Sequence, residues 1–319
     1  EEVLKKENPT HIGVAFDPAG PTFRHEAFEQ YKAQREETPE AIRLSVPIIK
    51  DIIRAYRIPI LEVAGYEADD VIGTLATEAG RQGITTYMMT PDKDYGQLVS
   101  DKVFMYRPKH TGGFEVMGVE EVKAKFDIQS PAQVIDMLGL MGDSSDNIPG
   151  CPGVGEKTAQ KLISEFGSIE NLLEHTDQLK GALKTKVETN REMITFSKFL
   201  ATIKIDVPIQ LEMDSLVREE ADEDSLRSIF EELEFRTLID RVLKKEVSGN
   251  GITSTPGSKV ATGKSAPSPL PLFPEEGGGI QGDLFANFTP NEPNEAKKSN
   301  LETLESQPHN YQLIDTEKK

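Results

Sequence analysis

Tryptophan is absent from this 319-residue chain, and cysteine occurs once, at Cys151. A lone cysteine excludes an intramolecular disulfide and fits a reducing cytoplasm. No apolar run approaches the roughly 20 residues that cross a bilayer, and no signal-peptide pattern opens the chain. Positive charge is also scarce: 36 Lys and Arg face 54 Asp and Glu, for a net charge of −18. Such a balance argues at first sight against a nucleic-acid partner. The deficit is uneven, however. Residues 151–204 hold eight Lys and Arg against seven Asp and Glu, so a local basic face remains available for phosphates. The hydrophobic content of 37% suffices for one large or two modest domains. The chain opens on Glu1-Glu2-Val3-Leu4 without an initiator Met and reads as a fragment.

Acid clusters are what the chain has in excess. The most concentrated is Gly65-Tyr66-Glu67-Ala68-Asp69-Asp70, set directly before an apolar-periodic run (Val71, Ile72, Leu75, Ala76, Ala79) that predicts an amphipathic helix over 67–80. A helix N-terminus attracts one carboxylate through its dipole and free N–H groups. Three within four residues repel one another unless a cation sits among them. Two further pairs, Asp92/Asp94 and Asp143/Asp146, follow, and Asp17 ends an apolar strand over 11–17.

Short strands at 11–17, 60–63, 84–89 and 103–106 alternate with helices at 40–56 and 67–80, with Pro47 a candidate kink. The alternation predicts an α/β fold: a mostly parallel central sheet flanked by helices. Ligands of such sheets bind at the carboxyl ends of strands, where Asp17 and the Asp92/Asp94 pair stand. Spacing places Glu67 and Asp70 on one helical face. In extended chain Asp92 and Asp94 point the same way, and Asp143 and Asp146 fall in a turn or first helical turn. Each pair alone is what a cap or Asx-turn provides. Together, as hard oxygen donors without Cys or His, the eight acids favour Mg²⁺ or Mn²⁺ over Zn²⁺.

From about 119 the pattern turns helical. Gly150-Cys151-Pro152-Gly153-Val154-Gly155-Glu156-Lys157-Thr158 is not a nucleotidase-type phosphate loop, because Glu156 separates the Gly from the Lys. It fits a helix–hairpin–helix instead, with helices over 131–142 and 156–166. Gly153 and Gly155 then let backbone N–H groups approach a phosphate at a helix N-terminus, with Lys157, Thr158 and Lys161 beside them. A plain Gly-rich connection is the bland alternative. Arg24, Lys32 and Arg35 suit a phosphate clamp, although a solvated helix face accounts for such a run equally well.

Two more helices are expected within 222–245. Residues 246–309, rich in Ser, Gly, Pro, Thr and Asn, predict a disordered linker, and 310–319 the first strand of a further domain. Within the linker, Gln281-Gly282-Asp283-Leu284-Phe285 resembles the short peptides that dock bacterial replication proteins on the sliding clamp.

Phe16-Asp17, Thr22-Phe23-Arg24, Tyr31-Lys32, the 65–70 cluster, Asp92-Lys93-Asp94, and Gly142 through Ala159 occur in the order and spacing of a known family. Over about 1–245 the chain resembles the 5′-nuclease domain of bacterial DNA polymerase I, a relative of the flap endonucleases. The resemblance implies a structure-specific 5′ nuclease that removes RNA primers and 5′ flaps, in a bacterial cytoplasm and near the nucleoid, as a monomer without membrane contact. It implies a nuclease core over 1–118, a DNA-binding helix–hairpin–helix part over 119–245, and a 3′–5′ exonuclease-like domain beginning at 310–319. Asp17, Glu67, Asp69, Asp70, Asp92 and Asp94 would hold one metal cluster. Asp92 or Asp94 with Asp143 and Asp146 would hold a second. Lys32, on a helical gateway, and Arg24 would neutralise the scissile phosphate, and Arg35 would contact DNA. The hairpin would grip flapped, nicked or RNA-primed duplex, with K⁺ on its backbone carbonyls. The family's first strand and one further ligand Asp precede the start of this chain, so weak or absent activity of the fragment is expected. Two readings of other classes stay open: a non-catalytic duplex-binding module, and a metal-dependent phosphatase of small substrates.

Overall fold

Short apolar strands separated by helices of clear periodicity set the architecture of the first half of the chain. A computed structural model describes residues 1–109 and 112–243. The expected linker at 246–309, the Gln281–Phe285 peptide and the strand at 310–319 lie outside the described residues. In order, α1 (Glu2–Lys6), β1 (Val14–Ala15), α2 (Phe23–Ala27), α3 (Glu40–Ala55) and β2 (Ile60–Leu61) lead to α4 (Ala68–Arg81). Then come β3 (Thr86–Met89), a 3₁₀ helix (Lys93–Leu98), β4 (Val103–Pro108) and β5 (Phe114–Met117). The helical part comprises α5 (Val119–Phe126), α6 (Gln133–Met141), α7 (Glu156–Phe166), α8 (Ile169–Glu174), α9 (Gly181–Thr189) and α10 (Arg191–Ala201). It closes with α11 (Met213–Leu216), α12 (Glu223–Glu232) and α13 (Arg236–Leu243).

The α/β class matches the expectation, but the sheet is divided. β1 pairs in parallel with β2, Val14 against Ile60. β3 pairs in parallel with β4, Met88 against Met105, and β5 adds antiparallel to β4. The antiparallel strand follows from Gly112 and Gly113, whose φ of +85° and +77° turn the chain back on itself. α4 lies across both sheets. Val71 and Leu75 cover Ala15, Leu61 and Val63, while Ala76 joins the buried cluster of Met88, Val103 and Met105. That cluster continues without a break into α6, α7 and α10 through Leu138, Ile163 and Ile194. The carboxyl half of α3 packs against α12 and α13 through Ala55, Leu226 and Phe230. Its first half, which runs on through Pro47, leaves Ile42, Leu44, Ile48 and Ile49 exposed. Among the described residues no helix is long and apolar enough to cross a membrane.

The connection from α6 to α7 doubles back tightly. Asp143 and Ile148 exchange backbone hydrogen bonds of 2.9 and 2.8 Å. Gly142 and Gly150 cross at backbone contact, with φ of +73° and +61°. A Cβ on Gly142 would stand 2.4 Å from the Ile148 carbonyl oxygen, so no side chain fits there.

Candidate active site

Arg24 organises the first half of the site. It sits on α2, 2% exposed, and all its N–H groups are directed at protein acceptors. Nη1 donates to Glu67 Oε2 at 2.9 Å and Asp70 Oδ2 at 2.8 Å. Nη2 donates to Asp70 Oδ1 at 2.8 Å and the Thr202 carbonyl at 2.7 Å. Nε donates to the Leu200 carbonyl at 2.9 Å. Burial alone would lower the pKa of this guanidinium, but Asp70 and Glu67 outweigh it and hold the group charged more firmly than usual. The expectation of Arg24 as a phosphate clamp therefore changes: the side chain is consumed in tying α2 to α4 and the end of α10.

Asp70 differs from a free ligand in the same way. It is wholly buried, and Oδ1 and Oδ2 also accept from the Lys204 and Glu67 backbone N–H groups at 2.8 and 3.1 Å. Glu67 is the N-cap of α4 and forms a reciprocal capping box with Asp70. Glu67 also accepts from Lys32 Nζ at 2.6 Å and from the Tyr31 hydroxyl at 3.1 Å.

Lys32 does not lie on a helix. It stands in a turn between α2 and α3, with a left-handed φ of +56°. That turn is fastened to the Asp143–Ile148 loop. Lys32 N–H donates to the Asp146 carbonyl at 3.0 Å, Asn147 Nδ2 to the Gln30 carbonyl at 2.7 Å, and Arg35 Nε to the Ser145 carbonyl at 3.1 Å. Asp146 in turn meets the Arg35 guanidinium and accepts from the Tyr31 hydroxyl at 3.1 Å. Contacts over a hundred residues apart in sequence, rather than helix propensity, decide this conformation.

The second half of the site centres on the 3₁₀ helix. Asp92 is its N-cap and accepts from the Asp94 N–H at 2.9 Å, so the two are not alternate residues of an extended strand. Asp92 stays exposed, while Asp94 turns inward, where its Oδ1 is buried without a hydrogen-bond partner. Burial first, then the charges of Asp92, Asp143 and Asp146, push the Asp94 carboxyl up to about 8 despite Lys93. Burial and the nearby Asp92 push Asp69 up to about 6, against the 2.7 Å hydrogen bond it accepts from the Tyr95 hydroxyl. Asp143 is buried too, but Lys93 Nζ at 2.7 Å and the Ser145 N–H at 2.7 Å bring its carboxyl below the ordinary range. Asp17, on the loop after β1, accepts from the Ala68 N–H at 2.8 Å, at the start of α4.

The acids thus share one electrostatic neighbourhood, but bases divide it. Among the described residues no three of them stand close enough to hold a metal ion as arranged. Arg24 and Lys32 occupy Glu67, Lys32 and Arg35 stand at Asp146, and Lys93 occupies Asp143. Among the described residues Asp17, Asp69, Asp92 and Asp94 form no ion pair, although Lys93 acts on Asp92 and Asp94, and Lys32 on Asp69, from a greater distance. They are all-oxygen donors, and the orphaned Asp94 Oδ1 with its raised pKa is what a hard dication would relieve. Tyr31, Lys93 and Tyr95 have no role in the reading of the residues, although each adjoins or lies within an acid- or base-bearing motif. A Lys between two Asp, and a Tyr one residue from a Lys or an Asp, is the available signal.

The hairpin glycines end the same loop that carries Asp143 and Asp146. Gly153, with φ of +75°, and Gly155, the N-cap of α7, are exposed, as are Lys157 and Lys161; Thr158 is half-buried. A Cβ on Gly155 would meet nothing, so the backbone there is open to an approaching ligand. Lys186 on α9 sends Nζ to within 3.4 Å of the Gly153 carbonyl.

Comparison with known proteins gives a consistent picture. Residues 1–127 match the family described as 5′-3′ exonuclease, N-terminal resolvase-like domain, and residues 129–224 match 5′-3′ exonuclease, C-terminal SAM fold. DNA polymerase I of Bacillus subtilis (strain 168) is 44% identical over 243 residues, which are 76% of this chain and 28% of that protein. DNA polymerase I of Bacillus caldotenax is 42% identical over the same length, with the same coverage. The chain thus spans 28% of the length of these curated relatives. Among solved structures, T5 5′-exonuclease with bound zinc superposes with a TM-score of 0.57 at 22% identity, over 72% of this chain and 87% of that one.

Proposed function

Because the chain belongs to the 5′–3′ exonuclease family, we propose that it hydrolyses phosphodiester bonds at the 5′ end of a nucleic-acid strand laid across its acid cluster. The observation that carries this reading is Asp94: a buried carboxylate oxygen without a partner, facing the charges of Asp92, Asp143 and Asp146. Asp17, Asp69, Asp92 and Asp94, with Asp143 and Asp146, would hold two or more dications, Mg²⁺ or Mn²⁺. When bound, such ions supply an activated water and neutralise charge on the leaving oxygen. The protein's own contribution is to hold carboxylates rigidly. Tyr95 orients Asp69, Tyr31 orients Glu67 and Asp146, and the Arg24 staple fixes the start of α4. Lys32, half-buried at the mouth of the cluster, is the base placed to meet a scissile phosphate once it leaves Glu67. Arg35 would follow it onto the strand.

Residues 1–118 would then do the chemistry and 119–245 would hold duplex. In the hairpin, Gly153, Gly155, Lys157, Thr158 and Lys161 would contact phosphates without reading sequence, with K⁺ a candidate ion on its carbonyls. The wider setting is proposed likewise: a monomer in a bacterial cytoplasm, near the nucleoid, acting within a DNA polymerase I on flapped, nicked or RNA-primed DNA. The Gln281–Phe285 peptide would dock the sliding clamp, and a pull-down by the clamp tests it. The ion pairs that consume Glu67 and Asp70 favour a second reading, in which the acids are structural and the chain only binds duplex. Incubation of the intact protein with a labelled 5′-flap duplex separates the two. The expected result is product in Mg²⁺ and none in EDTA, with Asp143→Asn and Asp92→Asn abolishing cleavage while duplex binding persists. Near-normal turnover in either variant would overturn the reading.

A further inference from the structure

The turn between α2 and α3 carries two of the bases assigned to the strand, and it has no apolar anchor of its own. Tyr31 is buried, but no residue between it and Ala55 is, and residues 33–44 are exposed throughout. Polar ties to the Asp143–Ile148 loop and to Glu67 take the place of packing. Gln34 Nε2 donates to the Ser144 carbonyl, and Arg35 Nε to the Ser145 carbonyl at 3.1 Å. The Arg35 guanidinium meets Asp146 Oδ1. Lys32 Nζ lies 2.6 Å from Glu67 Oε1 and 3.7 Å from Asp146 Oδ2.

These contacts engage every carboxylate oxygen of the two acids. Glu67 Oε1 faces Lys32, and Oε2 faces Arg24 and the Tyr31 hydroxyl. Asp146 Oδ1 faces Arg35, and Oδ2 faces the Tyr31 hydroxyl and Lys32. A dication arriving at either acid therefore meets a cation already in place, and the two repel. The more weakly held cation yields. Arg24 is not that one: it is buried and also bound to Asp70 and two backbone carbonyls. Lys32 is half-buried and the Arg35 side chain 53% exposed, so water can solvate both on release. Release also relieves the left-handed φ of +56° at Lys32, which a non-glycine residue seldom adopts.

We infer that dications and the Lys32–Arg35 turn compete for Asp146 and Glu67, so that loading the ions frees both bases for the nucleic-acid strand. This rests on the nuclease reading above and deepens it by naming what releases Lys32 from Glu67. Trypsin takes Lys32 or Arg35 only after the side chain has left its carboxylate. In the intact protein, cleavage after these two, relative to cleavage after the exposed Arg81, should be about tenfold faster in millimolar Mg²⁺ than in NaCl of equal ionic strength. Coupling is reciprocal, so removing a competing base should tighten the ions. Lys32→Met should strengthen Mn²⁺ binding, read by electron paramagnetic resonance, about fivefold, and Arg35→Gln by less, because its pair is the more exposed. Equal or slower cleavage in Mg²⁺, or Mn²⁺ affinity unchanged or weakened in both variants, would overturn the competition. If Mg²⁺ opens the turn yet the wild type cuts no 5′-flap duplex, the nuclease reading fails and the competition stands. Flap cutting with a turn indifferent to Mg²⁺ would sink the competition alone.

Discussion

Replacing Arg24 by Ala separates two roles that the sequence alone leaves equivalent. If the guanidinium is a staple, its loss leaves Glu67 and Asp70, both buried, without the charge that balances them. Breaking a buried ion pair by removing one partner costs about 3–5 kcal/mol. With a urea dependence near 3 kcal/mol per molar, the unfolding midpoint falls by about 1–2 M. Arg24→Lys should recover only part of the loss, because an ammonium offers three donors where the guanidinium uses five. Urea unfolding followed by circular dichroism measures the shift. A phosphate clamp predicts the reverse pattern: unchanged unfolding with cleavage lost. Arg24→Ala with a wild-type midpoint would refute the staple.

Dication dependence should carry a pH signature. Asp69 and Asp94, ordinarily near 3.8, stand at about 6 and about 8 in the fold. Their contribution to stability is therefore full below about pH 4 and is lost as pH rises through 6 and then 8. In EDTA the melting temperature should fall over that interval, and millimolar Mg²⁺ should raise it more at pH 8 than at pH 5; an absence of Mg²⁺ effect at pH 8 would count against the site. Gly142→Ala, which puts a Cβ 2.4 Å from the Ile148 carbonyl oxygen at a φ of +73°, should destabilise by about 2 kcal/mol or more in the same unfolding assay. Lys157→Gln with Lys161→Gln should weaken duplex binding alike for all sequences and lower the salt slope by about 2, as read from anisotropy titrations at several salt concentrations.

Much of this arrangement is legible in the residues, and the exceptions have physical causes. The apolar spacing after Glu67 and after Gly155 gives α4 and α7, because each buries one face against a neighbouring core. Asp17 and Asp92 do follow β1 and β3, as strand-end placement expects, whereas Asp143 and Asp146 come from the α6–α7 loop. What local pattern cannot supply is which acid a base will neutralise. Arg24 is equally able to reach solvent or core, and the Leu200 and Thr202 carbonyls, far along the chain, decide the matter. The turn at Lys32 is likewise held by the Asp143–Ile148 loop rather than by its own propensity. Asp92 and Asp94 defeat the alternation rule because Asp92 caps a 3₁₀ helix there. The antiparallel β5 had a signal, Gly112-Gly113, that the strand–helix alternation does not use.

The proposed site works only if the acids without an ion-pair partner share dications. Titration of the intact protein with Mn²⁺, followed by electron paramagnetic resonance, tests this without recourse to catalysis. Saturable binding of two or more ions, weakened at least tenfold in Asp94→Asn, is the predicted result. Binding that never saturates, or that Asp94→Asn leaves untouched, would contradict it.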